Sequence, residues 1–179
     1  MGLRSNNELT KAFNYVKKRG MPYYFYSDEE KKIQFEKIKN SKFKNGIEGN
    51  EVLQFLAWSY FPHHWEVQVQ KTKRPIDIFY NDDLLKKALK SRIKWGGKVG
   101  SNGFMTDANI RKAIRTASGV QAVSNFRPVA SASIYYKYAR NGVVWDMSCG
   151  YGGRLLGALA SGSVKKYIGT DPFKKILIT

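Results

Sequence analysis

The chain is poor in cysteine, histidine, proline and acid, and each shortage closes off a class of protein. Cys149 is the single cysteine, so no disulfide forms within the chain and a disulfide-stapled secreted scaffold is excluded. The only histidines, His63 and His64, are adjacent. Sequence neighbours point apart and no third ligand lies nearby, so no metal site is expected. No apolar run approaches the roughly 20 residues of a membrane helix. The start, Met1-Gly2-Leu3-Arg4-Ser5, has no apolar signal region behind it. A cytoplasmic protein without membrane attachment is therefore expected. The five prolines, Pro22, Pro62, Pro75, Pro128 and Pro172, are never adjacent. Acids number 14 against 31 Lys and Arg, a net charge of +17. That excess suggests a polyanionic partner, although a solvated lysine-rich surface would produce the same count. There is no internal repeat and no low-complexity tail.

The informative stretch lies late in the chain. Val143-Val144-Trp145 is a short apolar run ending in Asp146, and Gly150, Gly152 and Gly153 follow in a tight turn region. The segment after it, with Leu155, Leu156 and Leu159, has helical apolar spacing, and a second apolar run, 167–170, ends in Asp171. Glycines permit backbone angles closed to other residues and allow a ligand close to the main chain. The free N–H groups of the following helix favour polar or anionic groups. Strand, glycine turn, helix, strand, acid is the nucleotide-binding half-unit of a doubly wound sheet. A dinucleotide site would carry G-x-G-x-x-G, which this chain lacks. Asp146 suits a cationic amino group and would repel a pyrophosphate, and Asp171 can accept from both ribose hydroxyls.

These residues resemble the S-adenosylmethionine motif of class I methyltransferases. The D-x-x-x-G-x-G-G-R-L-L-G form, Asp146 to Gly157, is similar to phage and bacterial DNA methyltransferases that modify exocyclic amino groups. The resemblance runs from Asn125 to Pro172 and is looser upstream. It implies S-adenosylmethionine as cofactor, held by Asp146, Ser148, Gly150, Gly152, Gly153 and Asp171. A segment just before the first strand contacts the cofactor in this family. Phe126 occupies that place, with packing into the core as the other reading of its position.

Upstream the chain reads as mostly helical. A first helix is expected from a cap at Asn6 or Asn7 to Lys18, ended by Gly20. The apolar 22–26 stretch suits a strand or an extended link. Ser27 and Glu30 form an S-x-x-E capping box for a helix through about Lys39. Residues 42–49, with Gly46 and Gly49, read as a loop, and Asn50 as the cap of an apolar helix ended by Pro62. Trp65, Val67 and Val69 alternate with polar residues, the pattern of a half-exposed strand. On a wheel of the expected 82–95 helix, Leu84, Leu85, Ala88, Leu89 and Ile93 share one half. Lys86, Lys87, Lys90 and Lys94 share the other, and Arg92 falls among the apolar residues, where it needs a partner. A glycine-rich basic loop, 96–103, leads to a helix over 107–118 capped by Thr106, from which Arg111 and Arg115 are expected to project. The four lysines and two arginines are the candidate nucleic-acid contacts, with DNA as the expected partner. A further helix is expected from Pro128 to Arg140.

Methyl transfer to an exocyclic amino group also needs acceptors on that nitrogen and a ring stacked on the flipped base. The family supplies both from a D/N/S-P-P-aromatic loop, and no such motif occurs here. Thr170-Asp171-Pro172-Phe173 has one proline and sits at the ribose-binding acid, so it does not qualify. Cys149 lacks the preceding proline of carbon methylation and is read as a small residue in a crowded turn. No catalytic residue is assigned. The expected architecture is α/β: a basic helical region over 1–124, then the first β-α-β of a Rossmann-like methyltransferase core over 125–179. The expected function is the N-terminal portion of an amino-group DNA methyltransferase, inactive alone, either truncated or completed by a second polypeptide that supplies the remaining strands and the catalytic loop. The alternative is a non-catalytic nucleic-acid-binding remnant.

Overall fold

The computed structural model describes residues 2–41 and 51–176, so the loop expected over 42–49 and the cap expected at Asn50 lie outside the described residues. Among the described residues the chain is a helix-rich α/β protein with one two-stranded parallel sheet. It divides into two compact units, Met1–Tyr23 with His63–Val123, and Tyr24–Pro62 with Ser124–Thr179. The segment Tyr24–Pro62, expected within the N-terminal region, belongs with the C-terminal unit. The reason is hydrophobic burial: Ile38, Leu53 and Leu56 form one cluster with Val129, Ala132 and Ala160, and apolar area removed from water is worth about 25 cal/mol per Å².

The first unit contains α1 (Gly2–Arg19), α4 (Pro75–Tyr80), α5 (Asp82–Lys94) and α6 (Asp107–Arg115). Helix α1 starts before Asn6 and Asn7, which therefore lie within it and cap nothing. Its end is set by Gly20 at φ +84°, whose N–H bonds to the Val16 carbonyl. Asn81 caps α5 by accepting from Leu84 N–H, and Thr106 caps α6 by accepting from Asn109 N–H. The core gathers Ala12 and Val16 of α1, Ile78 of α4, Leu85 and Leu89 of α5, and Ile110 and Ile114 of α6, all fully buried. Helix α6 stops at Arg115, short of Ser118. The six-residue α4 carries Pro75 at its first position, where the missing N–H costs nothing. The expected strand at Trp65–Val69 is absent, replaced by a 3₁₀ turn over Pro62–Glu66. Its alternation is nonetheless real in burial, with Trp65 buried and Glu66, Gln68 and Gln70 exposed. No ladder partner is present among the described residues, and Gln70 at φ 52° turns the chain. The 96–103 loop packs closely on α1: a Cβ on Gly103 would sit 2.3 Å from the Lys11 carbonyl oxygen.

The second unit contains α2 (Asp28–Lys39), α3 (Phe55–Tyr60), α7 (Pro128–Tyr138), β1 (Val143–Asp146), α8 (Gly153–Ser161) and β2 (Lys166–Gly169). Residues 24–26 take no regular secondary structure. The capping box of α2 forms in full, with Ser27 Oγ accepting from Glu30 N–H and Glu30 accepting from Ser27 N–H. Strands β1 and β2 pair in parallel, Val143 with Lys166 through Asp146 with Gly169, and α8 is the crossover between them. Helices α7 and α8 meet through Gly157, where a Cβ would lie 1.9 Å from Ser131 Oγ and 2.5 Å from the Pro128 carbonyl oxygen. That hydroxyl donates within the same contact, to Pro128 O at 2.9 Å.

Candidate functional site

The two parallel strands end side by side, and a glycine turn joins the first of them to α8. Gly150 at φ +57° and Gly152 at φ +74° take the left-handed conformation, which costs other residues roughly 1–2 kcal/mol. Pairing continues past the strands, with Thr170 N–H on Asp146 O and Cys149 N–H on Thr170 O, both 2.9 Å. Asp171 then closes the turn: Oδ2 accepts from Gly150 N–H and Oδ1 from Phe173 N–H, both at 2.9 Å. A carboxylate offers about four acceptor positions, so capacity for two more donors remains. Asp171 thus stands half-buried at the carboxyl end of β2, held to the glycine turn at the end of β1.

Asp146 has a different situation. Its Oδ2 accepts from Arg154 Nε at 2.6 Å and from the Tyr167 hydroxyl, while Oδ1 accepts from Ser148 N–H at 3.3 Å. Arg154 also donates to the Ser148 carbonyl. Burial opposes ionisation of Asp146, but the Tyr167 and Arg154 bonds outweigh it and hold the carboxyl below its ordinary value. Tyr167 is raised by burial and by the bond it donates to Asp146. Burial also works against the Arg154 charge, yet the Asp146 partner prevails and the guanidinium is held more firmly. The place expected for a ligand's cation is therefore filled by Arg154. Sequence reasoning did not find this pair. Arg154 stands in the glycine motif itself, and Tyr167 shares the inward parity of Gly169, but both assignments need the strand register.

The glycines divide by task. Gly153 lacks a side chain for packing, since a Cβ there would lie 2.0 Å from the Phe126 carbonyl oxygen and 2.8 Å from Asn125 Oδ1. Asn125 in turn donates to the Tyr151 carbonyl at 2.9 Å. A Cβ on Gly152 would meet the Phe61 ring at 3.1 Å. A Cβ on Gly150 would meet only the Ser148 carbonyl oxygen, at 3.9 Å, an ordinary contact. Phe126 is 40% exposed rather than packed into the core, and the Arg154 guanidinium lies 5.7 Å from its ring centre. Ser148 contributes its backbone to this arrangement. The Cys149 thiol is pushed up by burial and by the Asp171 and Asp146 charges, the opposite of an activated nucleophile.

The candidate nucleic-acid contacts separate into two groups. Lys86, Lys87, Lys90 and Lys94 are exposed along α5, with Lys86 Nζ 4.7 Å from the Phe13 ring centre. Arg111 and Arg115 do not project as expected. Arg111 donates to the Pro22 carbonyl at 3.1 Å and its side chain is 15% exposed. Arg115 donates to the Val123 carbonyl at 2.9 Å and lies over the Trp65 ring. Both cations satisfy carbonyls of their own unit. Arg92, placed among apolar residues by the wheel, has its partner in Asn109 Oδ1, at 3.0 and 2.7 Å. Among the described residues there is no group of three or more His, Cys, Asp or Glu able to hold a metal ion, and no helix long and apolar enough to cross a membrane. No family model, curated protein or solved structure matches the chain.

Proposed function

We propose that the second unit binds S-adenosylmethionine and the first contacts DNA, as part of a methyltransferase acting on exocyclic amino groups of adenine or cytosine. One observation carries the reading: Asp171 accepts from Gly150 N–H, which sets an acid with spare acceptor capacity beside an uncrowded left-handed glycine at the carboxyl ends of two parallel strands. Ligands of open α/β sheets bind at that edge. Asp171 would take the ribose hydroxyls and Gly150 would admit the methionine portion. The base-holding loop is assigned to further polypeptide. In support, Val143 and Trp145 are 61 and 66% exposed, on a sheet of the parallel kind that is ordinarily covered on both faces.

Calorimetry with S-adenosylmethionine tests the cofactor. Losing a charge-assisted hydrogen bond costs about 1.5–3 kcal/mol, so Asp171→Ala should weaken binding roughly ten- to a hundredfold. Equal binding by the variant, or tighter binding of NAD than of S-adenosylmethionine, refutes the assignment. The second reading, a nucleic-acid-binding protein without cofactor, is favoured by the Arg154–Asp146 pair, which already neutralises the acid meant for the cofactor's amine. DNA binding with no calorimetric signal for S-adenosylmethionine, including after Arg154→Ala, would decide for it.

A further inference from the structure

A second basic surface lies on the first unit, away from the α5 lysines in sequence and built on another helix. Lys11, Asn14, Tyr15 and Lys18 of α1 recur at helical spacing, and at 100° per residue they fall within about 100° of one another. With Arg19 of the same helix and Asn102 of the 96–103 loop they line an open groove of about 690 Å³. The loop is fixed against α1 by Gly103, where a side chain would meet the Lys11 backbone, and by Lys11 Nζ donating to Ser101 O at 3.2 Å. Asn102 is fixed too, its Oδ1 accepting from Phe104 N–H at 3.1 Å, which leaves its amide N–H groups for a ligand. Phe104 packs edge-on against Tyr15, ring centres 5.4 Å apart, and is 46% exposed. Arg19 is paired with Asp107 at 2.7 Å, so Lys11 and Lys18 supply the net charge.

We infer that this groove is a phosphodiester-backbone site for nucleic acid. Two cations about two turns apart, flanking Asn14 and Tyr15, with amides between and an aromatic edge beside them, match a chain of phosphates with bases able to stack. An anionic lipid surface fits less well. Membrane-surface helices bury an apolar face among the acyl chains, and the apolar face of α1, Ala12 and Val16, is fully buried within the unit. The inference rests on the DNA-contacting reading above and adds a second contact surface to it.

The test measures binding of the full chain to a fluorescent 20-nucleotide strand and to its duplex across a salt series. Lys11→Gln with Lys18→Gln removes two contacts, so the slope of log K against log salt should flatten by roughly 1.4 on the strand and 1.8 on the duplex. Asn102→Asp keeps the Oδ1 acceptor for Phe104 while adding a negative charge to the groove, and it should weaken binding several-fold with unchanged thermal unfolding. Parent binding with an unchanged slope in the double variant overturns the groove and leaves the α5 surface standing. No binding of either nucleic acid by the parent removes both readings. Tighter binding to phosphatidylserine vesicles than to either nucleic acid, lost in Asn102→Asp, overturns the nucleic-acid assignment.

Discussion

Gly153→Ala distinguishes a glycine kept for a ligand from one kept for packing. Gly153 is the first residue of α8, and a glycine replaced by alanine in a helix ordinarily gains up to about 1 kcal/mol. Here the new methyl would lie 2.0 Å from the Phe126 carbonyl oxygen and 3.1 Å from its carbon. Carbon contacts are optimal near roughly 3.5–4.0 Å, so α8 or the Asn125–Phe126 backbone must retreat by about 1–1.5 Å. The obstacle is main chain, which cannot rotate aside like a side-chain end. Overpacking of this kind costs about 1–3 kcal/mol, and the Asn125 bond to Tyr151 O is strained with it. The net expectation is a loss of about 1–2 kcal/mol without any ligand, read as a lower urea midpoint at unchanged m-value by circular dichroism. Gly162→Ala is the control, with φ +61° and nothing within 4 Å, costing only the left-handed penalty of roughly 1–2 kcal/mol and leaving ligand binding intact. If Gly153→Ala is neutral or stabilising, the close approach of α8 to Phe126 is wrong and the glycine answers to a ligand.

Gly152→Val should abolish S-adenosylmethionine binding, because a branched residue resists φ +74° and its side chain meets the Phe61 ring; retained affinity in calorimetry would exclude the turn from the site. Replacing Lys86, Lys87 and Lys90 with glutamine should flatten the salt slope of duplex binding by roughly two to three, whereas an unchanged slope marks a merely solvated stripe. The 179-residue chain by itself is expected to transfer no methyl group to DNA, and time-dependent incorporation of labelled methyl would contradict that. Stability should fall at both pH extremes. The depressed Asp146 contributes stability that is present above its ordinary 3.8 and lost as pH drops through its folded value. The raised Tyr167 contributes stability present below its ordinary 10.0 and lost as pH rises beyond it. A Tyr167→Phe variant whose alkaline unfolding limb matches the parent's would refute the second half.

What the sequence determined by itself was local. The Ser27–Glu30 box, the Thr106 position, Gly20 and the Val143–Gly169 strand–turn–helix–strand are settled within a few residues, because caps and left-handed glycines satisfy backbone groups next to them. Asn81 shows the limit even there: the sequence pattern started the helix at Asp82, where α5 begins, but did not name its cap. Tertiary structure decided the rest. Trp65 to Val69 has strand periodicity, but a strand needs a ladder partner, and burial parity alone does not supply one. Residues 24–62 join the C-terminal unit because Ile38 and Leu56 complete a core that Val129 and Ala160 begin. Arg111 and Arg115 carry the same charge as the α5 lysines, yet carbonyls of Pro22 and Val123 engage them, and sequence spacing does not reveal so distant a partner as Pro22. Asp146 makes the point most sharply. Its position at a strand end follows from its neighbours, but its chemistry depends on Arg154 and Tyr167, brought to it by a helix and a second strand.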